Sequence, residues 1–302
     1  MTTLAINGGE KVRNTPFPMR TPFGEREEEL LLQAVRSQNL FGKSGTFVKK
    51  FEQKVAAFYG TNYAQSSTSG TAAIHTAIGA VNPEPGDEII TAPITDPGSV
   101  MPILMQNAVP IFADVDPLSL NMIPDSIEAN ITDRTRAIIL VHLFGHPCEI
   151  DQIIKIAEQY NLILIEDCSQ THATNYKDHY VGTFGHMGCF SLQQSKHMTT
   201  GDGGFIITND EDTYIRLKLF SDKGWDYQYM GDRDHAFLAP NYRMTEMQGA
   251  VGIAQLEKVR SVVERRVTLG SQLTNEIANA PGIETVPLPK DREVSWWNYI
   301  FH

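Results

Sequence analysis

Cysteine is scarce in this chain: Cys148, Cys168 and Cys189, an odd number with no CxxC pair. That supply builds neither a disulfide framework nor a zinc knuckle. Long apolar runs are missing too. The longest, such as 136-RAIILVHLF-144, are the size of a strand, too short to span a bilayer. Positive charge is in deficit, with 25 Lys and Arg against 36 Asp and Glu, a net of −11 with His neutral. So acidic a chain has no broad attraction for phosphate backbones or anionic lipid, which argues against a nucleic-acid or membrane-surface protein. The N-terminal MTTLAINGGEKVRN has no apolar core that could serve as a signal peptide. The expectation is a soluble cytoplasmic protein. Its 302 residues, 41% of them hydrophobic, are ample for a core, and at roughly 150 residues per domain they allow about two domains.

What is present is an alternation of helical and strand-sized segments. Residues 25–38 and 47–59 place apolar groups at helical intervals, for example Phe47, Phe51, Val55 and Phe58. Apolar runs of strand length follow at 88–92, 109–115, 136–144, 162–167, 187–192 and 205–208, with helix-like stretches at 98–106 and 149–160 between them. Buried strands without polar alternation, separated by amphipathic helices, predict an α/β domain whose mostly parallel sheet is covered on both faces. A long helical stretch from Met244 leads away from the sheet. The expected division is a large α/β domain over 1–245, and a linking helix with the start of a second domain over 246–302. The aromatic run 294-VSWWNYIFH-302 reads as a strand with nothing after it to cover it, so a truncated second domain is expected.

Ligands of open α/β sheets bind beyond the carboxyl ends of the strands, and three segments place chemistry there. Segment 65-QSSTSGTAAIHTAIGA-80 is a Ser/Thr/Gly loop opening a helix, whose unpaired N–H groups suit a phosphate. Its bland alternative is an ordinary cap by Thr68 or Ser69. Strand 162–167 ends in Glu166 and Asp167, which face opposite ways, so only one can enter a site. In 188-GCFSLQQSKHMTTGDGG-204, Lys196 follows a strand end by five residues and precedes a Gly-rich turn. Alone, a lysine is a solvated charge. Between two apolar strands, desolvation favours its neutral amine, the form that attacks carbonyls. Two decoys fail. Residues 42–44 (GKS) follow a helix and lack the first glycine of a Walker loop. His142, His146, Cys148 and Glu149 match no zinc spacing, so no metal ligands are assigned.

Taken together, these motifs resemble the DegT/DnrJ/EryC1/StrS family of pyridoxal-phosphate sugar aminotransferases, from about Leu4 to the end of the chain. The QQSK of 193–196 looks closest to the branch acting on keto-cyclitols of the scyllo-inosose type. The resemblance implies an aspartate aminotransferase type I fold with a sheet of the seven-stranded type and most of the small C-terminal domain absent. It implies pyridoxal 5′-phosphate as cofactor, glutamate or glutamine as amino donor, and a keto-sugar or keto-cyclitol as acceptor. Lys196 would bond to the cofactor aldehyde and later shuttle a proton. Asp167 would keep the pyridine nitrogen protonated, Gln170 would bond the ring hydroxyl, and Gly70, Thr71 and Ser191 would hold the phosphate. His172 would lie near the cofactor. Asn241 matches a family asparagine that reaches the phosphate of a neighbouring subunit, which implies a homodimer with shared sites. One position departs from the pattern. Where the family usually places an aromatic residue over the ring, 91-TAPITDPGS-99 puts Asp96, and a neighbour such as His172 would then supply part of that contact. Two alternatives stay open. One is a cofactor-dependent sugar dehydratase, against which Lys196 counts because such relatives carry histidine there. The other is a non-catalytic homologue.

Overall fold

The computed structural model describes residues 3–225 and 234–302. Two amphipathic helices, α1 (Glu25–Arg36) and α2 (Phe47–Tyr59), precede the first strand, β1 (Tyr63–Ser67). Helices and strands then alternate through α3 (Gly70–Val81), β2 (Glu88–Thr91), α4 (Met101–Met105), β3 (Val109–Phe112), α5 (Pro124–Ala129), β4 (Thr135–Val141), α6 (Ile150–Gln159) and β5 (Ile163–Asp167). A small hairpin, β6 (Asn175–Tyr176) and β7 (His179–Tyr180), leads to β8 (Met187–Ser191), β9 (Gly204–Thr208), α7 (Glu211–Ser221) and the 32-residue α8 (Glu246–Ile277).

Seven strands form one sheet in the order β1-β9-β8-β5-β4-β2-β3. Only β9 is antiparallel to its neighbours, and the other pairs are parallel. The fold is therefore the aspartate aminotransferase type I α/β arrangement that the resemblance implied. Strands β4, β5, β8 and β9 carry fully buried apolar side chains, among them Ile138, Ile139, Ile165, Phe190 and Ile206. Such two-sided burial is why they read as continuous apolar runs. Helix α3 is rich in Ala and Gly, which lets it lie close across β8 and β9 and against α7. A β-carbon on Gly79 would stand 2.2 Å from the Phe220 ring of α7.

Three segments differ from the sequence-based reading. The polar start of 65–80 is strand β1, which pairs with β9 from Tyr63–Thr208 to Ser67–Gly204. Its Gln and Ser residues have little strand propensity, and partner and burial override that. The 98–106 helix shrinks to a 3-10 turn over Pro97–Ser99 followed by the five-residue α4. The run 294–302 is not a strand. Trp296 takes a φ of +49°, which breaks the extended backbone, and its buried ring stacks on Tyr299 and packs at Gly270 of α8, where a β-carbon would lie 2.2 Å from the indole. Thr285 and Phe301 make one isolated antiparallel bridge there.

Helix α8 begins with a capping box, Thr245 with Gln248, and packs on α1 and α2. Its inward-facing Ala250, Ile253, Ala254, Leu256, Val259 and Val263 belong to the main core, whereas Val286, Val294 and Trp296 form a small second cluster. Among the described residues, no helix is long and apolar enough to cross a membrane.

Candidate active site

Because only β9 is reversed, the loops after β1, β2, β4, β5 and β8 leave the same edge of the sheet. They enclose a cleft of about 450 Å³ whose walls include Gly70, Thr71, Asp96, Ser99, Asp167, Gln170, Ser191 and Lys196. The volume suits a small organic ligand.

One end of the cleft is built for an anion. Ser69 caps α3 by accepting a hydrogen bond from the Ala72 N–H at 3.0 Å, and Ala73 donates to the Ser69 carbonyl. The first two N–H groups of the helix, on Gly70 and Thr71, remain for a ligand at the positive end of the dipole. Ser191, at the tip of β8, closes the other side. Gly70 is required by close approach, since a β-carbon there would stand 2.6 Å from Ser191 Cβ and 2.9 Å from its Oγ.

The floor is set by the two acids that end β5. Glu166 points away from the cleft into the protein, where it accepts from the N–H groups of Gly182, Phe184 and Gly185 at 2.7–2.8 Å. His142 Nε2 lies 3.1 Å from it. Since His142 Nδ1 accepts the Cys148 N–H, its proton sits on Nε2, facing the carboxylate. His142, Glu166 and Cys168 come within 4.8 Å of one another, and these hydrogen bonds account for the acid without an ion.

Asp167 faces the cleft and is buried. Ser169 N–H donates to its Oδ1 at 3.0 Å and Ser99 Oγ to its Oδ2 at 2.7 Å. With its proton committed to Asp167, Ser99 Oγ accepts from Thr95 Oγ1 at 2.7 Å, so a two-hydroxyl relay orients the carboxylate. Two donors leave the carboxylate with lone pairs to spare for a donor on a ligand. Gln170 lines the cleft beside it and accepts the Phe144 N–H at 2.6 Å.

Lys196 stands opposite on the loop after β8, 8% exposed. Burial pushes its ammonium below the usual lysine range, opposed by the nearby charges of Asp167 and Asp96. Its Nζ lies 3.8 Å from the centre of the Trp297 ring.

Of the residues singled out in the sequence, Gly70, Thr71, Asp167, Gln170, Ser191 and Lys196 meet in this cleft, together with Asp96. Two fall outside its walls. His172 is fully buried behind Ser191, with its Nε2–H donated to the Ser191 carbonyl at 2.7 Å. Burial depresses its pKa to about 4. Phe190 and Phe205, next to its ring, fill the space on the sheet side. Asn241 is exposed and pairs with Asp222 through an isolated bridge. Asp96 Oδ1 accepts the Gly98 N–H at 2.8 Å and starts the turn that carries Ser99. The aromatic side chain that does line the cleft is Trp297. Ser99 and Trp297 escaped the sequence reading: the first is one hydroxyl in a turn, and the second sat in a segment taken for a strand. The Asp-Pro-Gly-Ser turn signal was the one available pointer to Ser99.

A helix-start anion cradle, a strand-end carboxylate and a buried lysine in one cleft at the carboxyl edge of a type I sheet define the class. The pattern of the DegT/DnrJ/EryC1/StrS aminotransferase family matches residues 23–302, and the chain belongs to that family. It is 39% identical over 243 residues to GDP-perosamine synthase of Escherichia coli O157:H7, covering 80% of this chain and 65% of that protein. It is 34% identical over 294 residues to a putative L-glutamine:3-amino-2,3-dideoxy-scyllo-inosose aminotransferase of Micromonospora echinospora, covering 97% and 70%. Among solved structures, the E. coli GDP-4-keto-6-deoxy-D-mannose-3-dehydratase with bound hydrated PLP superposes with a TM-score of 0.87 at 28% identity, over 95% of this chain and 78% of that one. The chain thus spans about two thirds of the first relative's length.

Proposed function

We propose that this chain is a pyridoxal 5′-phosphate-dependent aminotransferase that moves an amino group from glutamate or glutamine to a keto-sugar or keto-cyclitol, working as a homodimer. The observation that carries the reading is the placement of Lys196 and Asp167 in one cleft with the Gly70–Thr71–Ser191 cradle. These three features fit the amine, ring nitrogen and phosphate ends of one phosphorylated pyridine aldehyde. When bound, that cofactor supplies an electron sink for proton removal at a carbon bearing nitrogen.

The residues then divide the work. Gly70 and Thr71 N–H groups and the Ser191 hydroxyl hold the phosphate dianion. The Asp167 carboxylate, fixed by Ser99 and Ser169, keeps the ring nitrogen protonated by favouring the adjacent positive charge. Gln170 reaches the ring hydroxyl with its amide. Lys196, whose burial favours the neutral amine, would be the group to bond the cofactor aldehyde and to hold the proton that is moved. Asn241, exposed on this chain, would contact the phosphate held by a second copy. Asp96, Gln193, Ser195 and Asp202 at the cleft wall offer acceptors and donors for ring hydroxyls, the chemistry a polyhydroxylated acceptor needs.

The test is an amination assay with pyridoxal 5′-phosphate, glutamate or glutamine, and a panel of keto-cyclitols and nucleotide-linked keto-sugars. An aminated product formed with one donor consumed per product is expected, and Lys196→Ala should abolish it. Product formed without donor consumption would assign a dehydratase instead, and transfer at the wild-type rate by Lys196→Ala would refute the reading.

A further inference from the structure

Three independent clamps bring Trp297 to Lys196. The Arg20 guanidinium donates to the carbonyls of Gln194 and His197 at 2.8 and 3.1 Å, gripping the loop that carries the lysine. From α8, Arg266 Nη1 donates to the carbonyls of Trp296 and Trp297 at 2.8 and 3.0 Å, gripping the opposite segment. The two segments are then joined. His197 Nε2–H donates to the Ser295 carbonyl at 3.0 Å, and the Trp297 indole N–H donates to the Ser195 carbonyl at 3.0 Å. A further backbone bond, Trp297 N–H to Phe144 O at 2.9 Å, fixes the tryptophan to the loop after β4. The indole is thereby held face-on to Nζ at 3.8 Å, although its own segment is irregular. Among the described residues Nζ makes no hydrogen bond or ion pair, and the ring is the group seen to engage it.

We propose that Trp297 is a positioning residue that parks the Lys196 side chain as a charged ammonium against the indole face until a carbonyl compound enters the cleft. The attraction between a cation and the ring quadrupole exists only for the charged form. Loss of the proton to water at the cleft mouth removes the hold, and the neutral amine is free to swing to the floor beside Asp167. This inference rests on Lys196 being the carbonyl-capturing amine of the preceding section, and its test reads the cofactor-free chain. Failure here therefore leaves the aminotransferase reading intact, whereas failure of that reading shows as absent donor-dependent amination with the midpoint shift unaffected.

The other charged and titratable groups around Nζ are Asp167 and Asp96 across the cleft, Asp202 in its wall, His172 and His197 behind it, and Arg20 and Arg266 on the flanking carbonyls. All are retained when only the indole is changed. The purified cofactor-free chain is labelled with trace acetic anhydride across a pH series, and acetylation of Lys196 is measured by peptide mass spectrometry against exposed Lys49 as reference. Trp297→Leu should lower the pH midpoint of Lys196 by about half to one and a half units. Trp297→Phe, a weaker cation partner, should lower it by less. A smaller side chain admits water, which acts in the upward direction, so a downward shift isolates the ring. An unchanged or raised midpoint in Trp297→Leu would overturn the proposal, showing the indole to act only by excluding water. If the Leu variant does not fold, the Phe variant decides: a partial downward shift supports the parking role and none refutes it.

Discussion

Adding one methyl group at Gly70 tests the anion cradle most sharply. The backbone of Gly70 has no positive φ, so alanine is conformationally allowed and gains up to about 1 kcal/mol of helix propensity. Against that, its β-carbon would sit 2.6 Å from Ser191 Cβ and 2.9 Å from Ser191 Oγ, both well inside van der Waals contact. Relieving that overlap requires the start of α3 and the tip of β8 to move apart, a misfit that ordinarily costs about 1–3 kcal/mol. Net destabilisation should be about 0–2 kcal/mol, a fold that survives. Binding should suffer more. Each donor pulled off a dianion forfeits about 1.5–3 kcal/mol, or roughly 10- to 100-fold in affinity. The assay is equilibrium binding of pyridoxal 5′-phosphate and of unphosphorylated pyridoxal to both proteins. Gly70→Ala should weaken the first by at least about 10-fold and leave the second nearly unchanged. A double variant with Ser191→Gly removes the overlap and should recover stability without recovering the phosphate preference, because the hydroxyl is gone. Equal losses for both ligands, or none for either, would refute the assignment of Gly70 and Ser191 to the phosphate.

Lys196→Ala should leave denaturant stability within about 1 kcal/mol of the parent, since it deletes a desolvated charge that has no hydrogen bond among the described residues, while eliminating covalent cofactor capture; a large loss of stability would make the lysine structural. Glu166→Ala should cost about 3 kcal/mol or more in urea unfolding, because the buried N–H of Gly182, the part-buried N–H groups of Phe184 and Gly185, and His142 lose their acceptor; a loss below about 1 kcal/mol would contradict this network. Acid should destabilise the fold through its buried imidazoles. Burial lowers His75 and His172 to about 4, and His197 well below its ordinary value. The unfolded chain therefore binds more protons below about pH 6.5. Stability is complete above that value and falls toward pH 4 by about 1.4 kcal/mol per pH unit for each histidine. His172→Phe should reduce this slope in denaturant titrations between pH 7 and 4.5, and an unchanged slope would show that His172 is charged in the folded state.

Much of the fold was legible because burial leaves a mark on composition. Runs such as 136–144 and 162–167 are apolar on both faces, and they became central strands. β1 escaped because its side chains are polar and its strand character comes from pairing with β9, which no local window reveals. Among site residues, Asp167 and Lys196 were readable because strand ends and Gly-rich turns have sequence signatures. The strict alternation of a strand also separated Asp167, in the cleft, from Glu166, turned inward. Ser99 and Trp297 were not readable. Ser99 acts through one hydrogen bond to a residue 68 positions away, and Trp297 enters from a segment 101 positions beyond Lys196 in sequence, a closeness created by the return of the chain after α8. His172 follows Asp167 by five residues, yet the turn after β5 buries it against Ser191 and two phenylalanines.

The central claim is that Lys196 is the amine that captures the pyridoxal 5′-phosphate carbonyl. Incubation of the purified chain with that compound, reduction with borohydride and peptide mass spectrometry tests it directly. One phosphopyridoxyl group fixed on Lys196, and absent after Lys196→Ala, is the predicted result. An adduct spread over surface lysines with Lys196 unmodified would contradict the account.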